Sequence, residues 1–312
     1  LASSAPGPPA GYAARAATHD DLPAIDELYL ASERAMGLER PEKRSGYLGF
    51  RWSQPYTDLA RDTRVIDGPD GLAAFAMAFV EPETPSVASC MGRVHPDHLG
   101  RGLGAWALAF FEHRARAGGR PIARLGIEEP DEAGHALVNA HGYVRVRNSY
   151  DMGVVLRDDE TPGPEPAGVR VRAFEPGEER VVWAITTDAF RDHWDHEADP
   201  SFESFYGDWF EDPGHPPAIL VAEVDGEPDG VIGWIVDDGV PYVFSVGVRR
   251  RARGRGVATS LLEHAKARAA ADGFAELTLS VDAANPTGAL RAYEKVGMTV
   301  RRTVIAYQRD LA

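Results

Sequence analysis

The chain has 312 residues, 44% hydrophobic and 26% charged, which is long for one domain and comfortable for two ordinary globular ones. A formal net charge of −15 argues against general nucleic-acid binding, because a phosphate backbone asks for a basic face. No apolar run is long enough to cross a membrane, and the lone cysteine, Cys90, excludes an intramolecular disulfide and suits a reducing cytoplasm, the expected location.

Residues 1–11, LASSAPGPPAG, lack a basic segment followed by an apolar core, so they read as a disordered leader rather than a signal peptide. A first strand is expected over Tyr12 to Ala17 and a helix over Asp21 to Met36, with Thr18 or Asp20 as cap. Gly37 to Pro55 is polar and reads as a loop or broken helix, and Tyr56 to Arg61 as a short helix. Strands follow at Arg64 to Asp67 and Leu72 to Val80, around the hairpin signal DGPDG, and at Val87 to Val94. The turn HPDHLGRGLG leads into a helix over Ala105 to Ala117, then a strand, a helix over Asp131 to Ala140, and a strand over Tyr143 to Leu156.

The stretch RDDETPGPEPAG has no apolar periodicity and reads as a linker, residues 158–168, between domains at 12–157 and 169–312. The order of elements then repeats. Strands are expected at Val169 to Phe174, Ala218 to Val224, Val231 to Asp237 and Tyr242 to Val248, with helices over Pro176 to Phe190 and Pro200 to Phe210. A long helix from Val257, a strand over Ala275 to Val281, a helix over Thr287 to Val296 and a last strand near Met298 to Gln308 complete it. Val94 lies eight residues before Gly102, as Val248 does before Gly256; Gly104 to Gly142 spans 38 residues and Ala258 to Gly297 spans 39. Two copies of one α/β module joined by the linker account for this. Two internal copies are compatible with a monomer or a homodimer.

Within the second copy, VGVRRRARGRGVATSLL places a strand, a glycine-rich turn and a helix start in succession, with Arg249, Arg250, Arg251, Arg253 and Arg255 in seven residues. Gly254 and Gly256 free the backbone to approach a ligand, and the helix start offers unpaired N–H groups and partial positive charge. Arginines beside it add charge and paired donors, so the stretch reads as a pyrophosphate cradle. It is not a dinucleotide fingerprint, because Thr259 stands at the third glycine position, and no Gly-Lys-Ser/Thr is present.

The second copy resembles the GNAT superfamily of acyl-CoA-dependent N-acyltransferases. That family's coenzyme loop, Gln/Arg-x-x-Gly-x-Gly/Ala, is matched by Arg253-Gly254-Arg255-Gly256-Val257-Ala258. Its later motif is matched by Asn285, Ala289, Tyr293 and Gly297, with Met298 in place of the usual aromatic. The tandem layout is similar to the branch that includes mycothiol synthase. The resemblance implies a mixed sheet flanked by helices and acetyl-CoA as cosubstrate. Backbone N–H groups at Val246, Gly247 and Val248 would hold the pantetheine arm, and Arg253 to Thr259 the pyrophosphate. It further implies direct attack by a primary amine on the thioester, with Tyr293 protonating the departing thiolate.

In the first copy, Val94, Gly100, Arg101, Gly102, Leu103, Gly104 and Ala105 form a second, non-catalytic candidate coenzyme site. Leu99 replaces the loop's Arg or Gln, and aligning Gly142 with Gly297 puts Val138 opposite Tyr293 and Pro130 opposite Asn285. The base that must deprotonate the amine is open among Asp237 and Asp238 at a strand end, Asp192, His193, Asp195 and His196 in a loop, or a water chain. Tandem relatives carry a carboxylate where this chain has Tyr242. Nothing completes a metal ligand set around His193 and His196, so no metal is expected. The expected acceptor is a small molecule, with an acidic protein suited to a cationic amine. Mycothiol synthase itself and a non-catalytic acyl-CoA-binding protein are the alternatives.

Overall fold

A computed structural model describes residues 7–38, 44–194, 196–211, 216–284 and 288–311. The chain divides into two compact units, Leu1–Arg147 with Val304–Ala312, and Asn148–Thr303. This differs from the boundaries read at 157 and 169, and strand pairing is the reason.

In unit 1 the sheet order is β1 (Ala13–Arg15), β2 (Thr63–Gly68), β3 (Gly71–Phe79), β4 (Val87–Val94), β5 (Ile122–Glu128) and β12 (Thr299–Asp310). The residues of β12 from Val304 to Asp310 pair antiparallel with β5. The last strand of this unit therefore comes from the far end of the sequence. Unit 2 shows the converse: Ser149 to Val155 of β6 (Val144–Val155) pair antiparallel with β11 (Glu276–Asp282). Each half of the sequence ends in a strand that closes the other half's sheet.

β3 shows how unit 1 builds two cores. Ala74, Ala76 and Ala78 lie under α4 (Leu103–Ala117), against Trp106, Phe110 and Phe111. Phe75, Met77 and Phe79 face the other way, toward α1 (Leu22–Ala35) and α2 (Ser45–Ser53). Strand alternation thus sends small residues to the face crossed by a bulky helix and large ones to the opposite face. Helix α2 falls where a loop or broken helix is expected. Its cap is not local: the buried Asp26 of α1 accepts the N–H groups of Arg44 (2.6 Å) and Ser45 (2.8 Å). Helix α3 (Leu59–Asp62) is shorter and later than expected, and α5 (Glu132–Ala140) is capped by Asp131. Residues 7–11, read as part of a disordered leader, are described: the Pro9 carbonyl accepts the Tyr12 N–H at 3.2 Å.

Unit 2 has the order β6, β11, β10 (Val240–Val248), β9 (Glu227–Asp237), β8 (Ala218–Val224) and β7 (Val169–Ala173). One face packs on α6 (Glu179–Phe190) and α7 (Phe202–Phe210), through Val182, Ile185, Phe205 and Trp209. The other packs on α8 (Val257–Ala271) and α9 (Ala289–Lys295), through Leu261, Leu262, Ala265 and Tyr293. Burying each large aliphatic side chain stabilises the fold by about 1.5–3 kcal/mol.

The stretch expected to be a linker is docked instead. Glu160 pairs with the buried ammonium of Lys266 on α8 at 3.0 Å, and Arg255 donates to the Ala167 carbonyl at 3.3 Å. A buried lysine needs a carboxylate, and this proline-rich segment supplies it. No helix among the described residues is long and apolar enough to cross a membrane.

Candidate active site

β10 and β11 are the parallel neighbours of unit 2, and they pair only where Tyr242 and Val243 meet Thr278 and Leu279. A register shift between Val243 and Ser245 then kinks β10, as a bulge does, and the strands part. The gap opens into a cavity of about 400 Å³ lined by Val243, Ser245 and Val246 of β10, Leu279 and Asp282 of β11, and Tyr293 of α9. It continues past Val248, Arg253, Gly254 and Gly256 to Val257, Ala258 and Thr259 in the first turn of α8, with Ala289 of α9 on its wall.

Two glycines shape the turn. Gly254 and Gly256 have φ of +77° and +81°, in the left-handed region that side chains rarely adopt. The first bond into α8 runs from the Ser260 N–H to the Gly256 carbonyl at 3.0 Å. The N–H groups before Ser260 therefore have no partner within the helix, and its partial positive charge lies behind them. An anion such as pyrophosphate fits here.

The arginines depart from expectation. Arg250 holds Asp192 by two bonds of 2.9 and 2.6 Å, and Arg253 reaches the same carboxylate at 2.7 Å. Arg253 also donates to the Ala189 carbonyl at 3.0 Å. Arg251 grips Asp229 at 2.9 and 2.6 Å, with Arg249 4.0 Å from the same group, and Arg255 holds Asp225 at 2.6 Å. Three aspartates thus hold five arginines, so these side chains brace the turn.

Tyr293 sits on α9 and is 8% exposed. Burial pushes its phenol pKa up to about 12, so it is protonated at neutral pH. Of the other expected coenzyme residues, Gly247 packs against α6, where a side chain would come within 3.3 Å of Ala189, and Arg255 turns to Asp225. Neither is among the residues lining the cavity. Asn285 and Asp195 lie outside the described residues.

The base candidates separate. His193 lines the cavity. His196 pairs with Asp199 at 3.0 Å. Hydrogen bonds from Arg250, then Arg253, hold the Asp192 carboxyl below its ordinary range, which makes it a brace and a poor base. Asp237 ends β9, and Asp238 forms the turn into β10 with φ of +45°. At about 3.3 Å per residue that turn is roughly 15 Å along β10 from Val243, and neither aspartate is among the lining residues.

Sequence reasoning missed Ser245. It is 7% exposed, its Oγ has no hydrogen-bond partner among the described residues, and it lines the cavity at the bulge. Nothing in the strand sequence VPYVFSVGV, which also carries Tyr242, marks this serine out.

Unit 1 keeps the turn and changes the gap. Gly100 and Gly102 have φ of +72° and +82°, and α4 begins at Leu103. β4 and β5 pair over Val87 to Cys90 and then stop. Continuing that register sets Arg93 opposite Glu128, and their side chains bridge the gap at 2.5 Å. The Arg93 guanidinium also lies 5.0 Å from the centre of the Tyr29 ring. Val138 is buried where the tyrosine would be, and Leu99 is exposed. Arg101 turns to the Tyr12 hydroxyl at 3.2 Å.

Parted parallel strands in a mixed sheet, a glycine turn at a helix start and a buried phenol thus meet at one cavity. Residues 180–298 match the acetyltransferase (GNAT) family model. The chain is 32% identical over 306 residues to mycothiol acetyltransferase of Thermobispora bispora, covering 94% of this chain and 97% of that one. It is 33% identical over 271 residues to mycothiol acetyltransferase of Thermomonospora curvata, covering 80% and 82%. A GCN5-related N-acetyltransferase from Sphaerobacter thermophilus superposes with a TM-score of 0.81 at 29% identity, covering 97% of this chain and 96% of that one. A tandem GNAT protein from the clavulanic acid biosynthesis pathway shares the fold, with a TM-score of 0.71 at 16% identity over 96% and 99% of the two chains. The chain belongs to the GNAT acetyltransferase family.

Proposed function

We propose that unit 2 transfers an acetyl or other short acyl group from its CoA thioester to the primary amine of a small molecule. The observation that carries this is the protonated, buried Tyr293 on the same cavity as the strand gap and the first turn of α8. Backbone N–H groups of the turn and of the first turn of α8 receive the pyrophosphate, and Val246 and Val248 flank the pantetheine arm. The amine attacks the thioester carbonyl, the C–S bond breaks, and Tyr293 gives its proton to the sulfur. Among the candidate bases we take His193, because it lines the cavity and imidazole suits proton removal near neutral pH.

The test is release of free CoA from acetyl-CoA across a panel of primary amines. Tyr293→Phe is expected to lower kcat by about 10²–10⁴-fold with acetyl-CoA binding retained. Undiminished turnover would overturn the acid role, and CoA binding without acyl transfer to any amine would make the chain a binding protein.

A second reading is favoured by near-full-length similarity to proteins named mycothiol acetyltransferase. The acceptor would then be a cysteinyl pseudodisaccharide. Tyr242, half-exposed in place of a carboxylate, speaks against an identical base. Including that acceptor in the panel decides between the two.

A further inference from the structure

Ser245 has a geometry that the coenzyme reading leaves unused. Side chains alternate along a strand, and the bulge between Val243 and Ser245 breaks that alternation. Val243, Val246 and Val248 pack in the core that holds α8, α9 and Tyr293. Phe244 faces the other way, with its ring 4.7 Å from that of Trp209 on α7. Gly247 faces that side too, toward Ala189 and Thr186 of α6. Ser245, two residues before Gly247, shares its face. The bulge thus puts two consecutive residues, Phe244 and Ser245, on the α6–α7 face. Ser245 and Tyr293 both line the cavity, and they do so from opposite faces of the sheet.

A hydroxyl this deeply buried without a partner is costly to keep. The Ser245 Oγ has none among the described residues. An acyl group held in the gap would lie between this hydroxyl and the phenol.

We propose that Ser245 is an acceptor-binding residue: its Oγ accepts a hydrogen bond from an N–H of the attacking amine and aims the nitrogen at the carbonyl from the face opposite Tyr293. This rests on the proposed transfer to a primary amine. The division of labour follows from the two faces. Ser245 holds the incoming nitrogen and Tyr293 protonates the outgoing sulfur. His193, which follows α6 on the same side as Ser245, is the group that takes the amine's proton.

The test uses the full chain, acetyl-CoA and the primary amine turned over fastest in the panel. Ser245→Ala and Ser245→Cys, which keeps the volume with a poor acceptor, are each expected to raise the amine KM by about tenfold or more. The acetyl-CoA Kd should stay within about twofold. Ser245→Thr, which keeps the hydroxyl, should recover part of the loss. Because the hydroxyl has no partner among the described residues, Ser245→Ala should leave Tm unchanged or raise it. An unchanged amine KM would overturn the proposal. So would an equal loss of acetyl-CoA affinity together with a lower Tm, which marks a structural role. If the unmodified chain transfers acetyl to no amine, the catalytic reading itself fails and Ser245's role with it.

Discussion

The two units carry the same strand, glycine turn and helix start, and they differ in what stands between the parted strands. In unit 2 the gap is a cavity with a buried phenol on one wall. In unit 1 the corresponding gap is bridged by the Arg93–Glu128 pair, and a buried valine takes the phenol's place. The turn survives in both because it rests on two positive-φ glycines and a helix start, which are backbone properties. The gap depends on side chains, and one glycine-to-arginine difference between equivalent positions, Gly247 and Arg93, is enough to span it. A coenzyme loop therefore indicates less about where acyl-CoA can lie than the strands beside it do.

The comparison can be broken most directly at Tyr293. Besides the loss in kcat expected for Tyr293→Phe, the phenol's raised pKa predicts a pH signature. A group whose pKa is pushed up to about 12 keeps its proton below that pH, so kcat should show no descending limb from this residue between pH 7 and 10. A limb near pH 10 that Tyr293→Phe abolishes would contradict the buried, protonated state.

Glu128→Ala comes next. It leaves the buried Arg93 guanidinium with only Asp131, 3.7 Å away, and breaking a buried pair costs up to about 3–5 kcal/mol. Chemical denaturation should register that loss, while kcat/KM for acetyl-CoA stays unchanged wherever the variant is folded. Isothermal titration of the unmodified chain is expected to find one acetyl-CoA per chain. Two sites of similar affinity would mean that the Arg93–Glu128 bridge yields to the ligand.

The glycines give a paired test. Gly256→Val sets a β-branched residue at φ of +81°, with Pro166 only 3.0 Å from the new Cβ. Strain of that kind predicts a roughly 10–100-fold weaker acetyl-CoA Kd. The equivalent Gly102→Val should leave acetyl transfer unchanged, and equal losses from both would show that unit 1 takes part in turnover.

The smallest effect is expected at Asp192. Asp192→Asn weakens the brace on Arg250 and Arg253 without touching the N–H groups of the turn. The pair is solvent-accessible, so acetyl-CoA KM should rise by roughly two- to fivefold and less at high salt. A much larger change would mean that the arginines bind the coenzyme themselves.

Much of this was legible locally. The RGRGVA turn, the helix it opens and the spacing to Tyr293 are short-range signals, written in glycine placement and apolar periodicity. Helix α2 was not, because its cap is Asp26, on another helix. The docked segment around Glu160 was not, because composition registers proline and acid and not the buried lysine that the acid meets. Ser245 was not, because a serine in a strand is unremarkable until its hydroxyl is seen to lack a partner.

The amino-acid order by itself determined a doubled α/β module, a backbone cradle in each copy and a tyrosine in only one of them. Those features depend on residues within a few positions of one another, or on spacing along the chain. Tertiary structure decided which strand closes which sheet, which carboxylates pair with the five arginines, and which gap stays open. Asp229 and Asp192 lie 22 and 61 residues from the arginines they hold, and Glu128 lies 35 from Arg93. Pairings over such separations form only once the sheet has brought the elements together, so no local pattern encodes them.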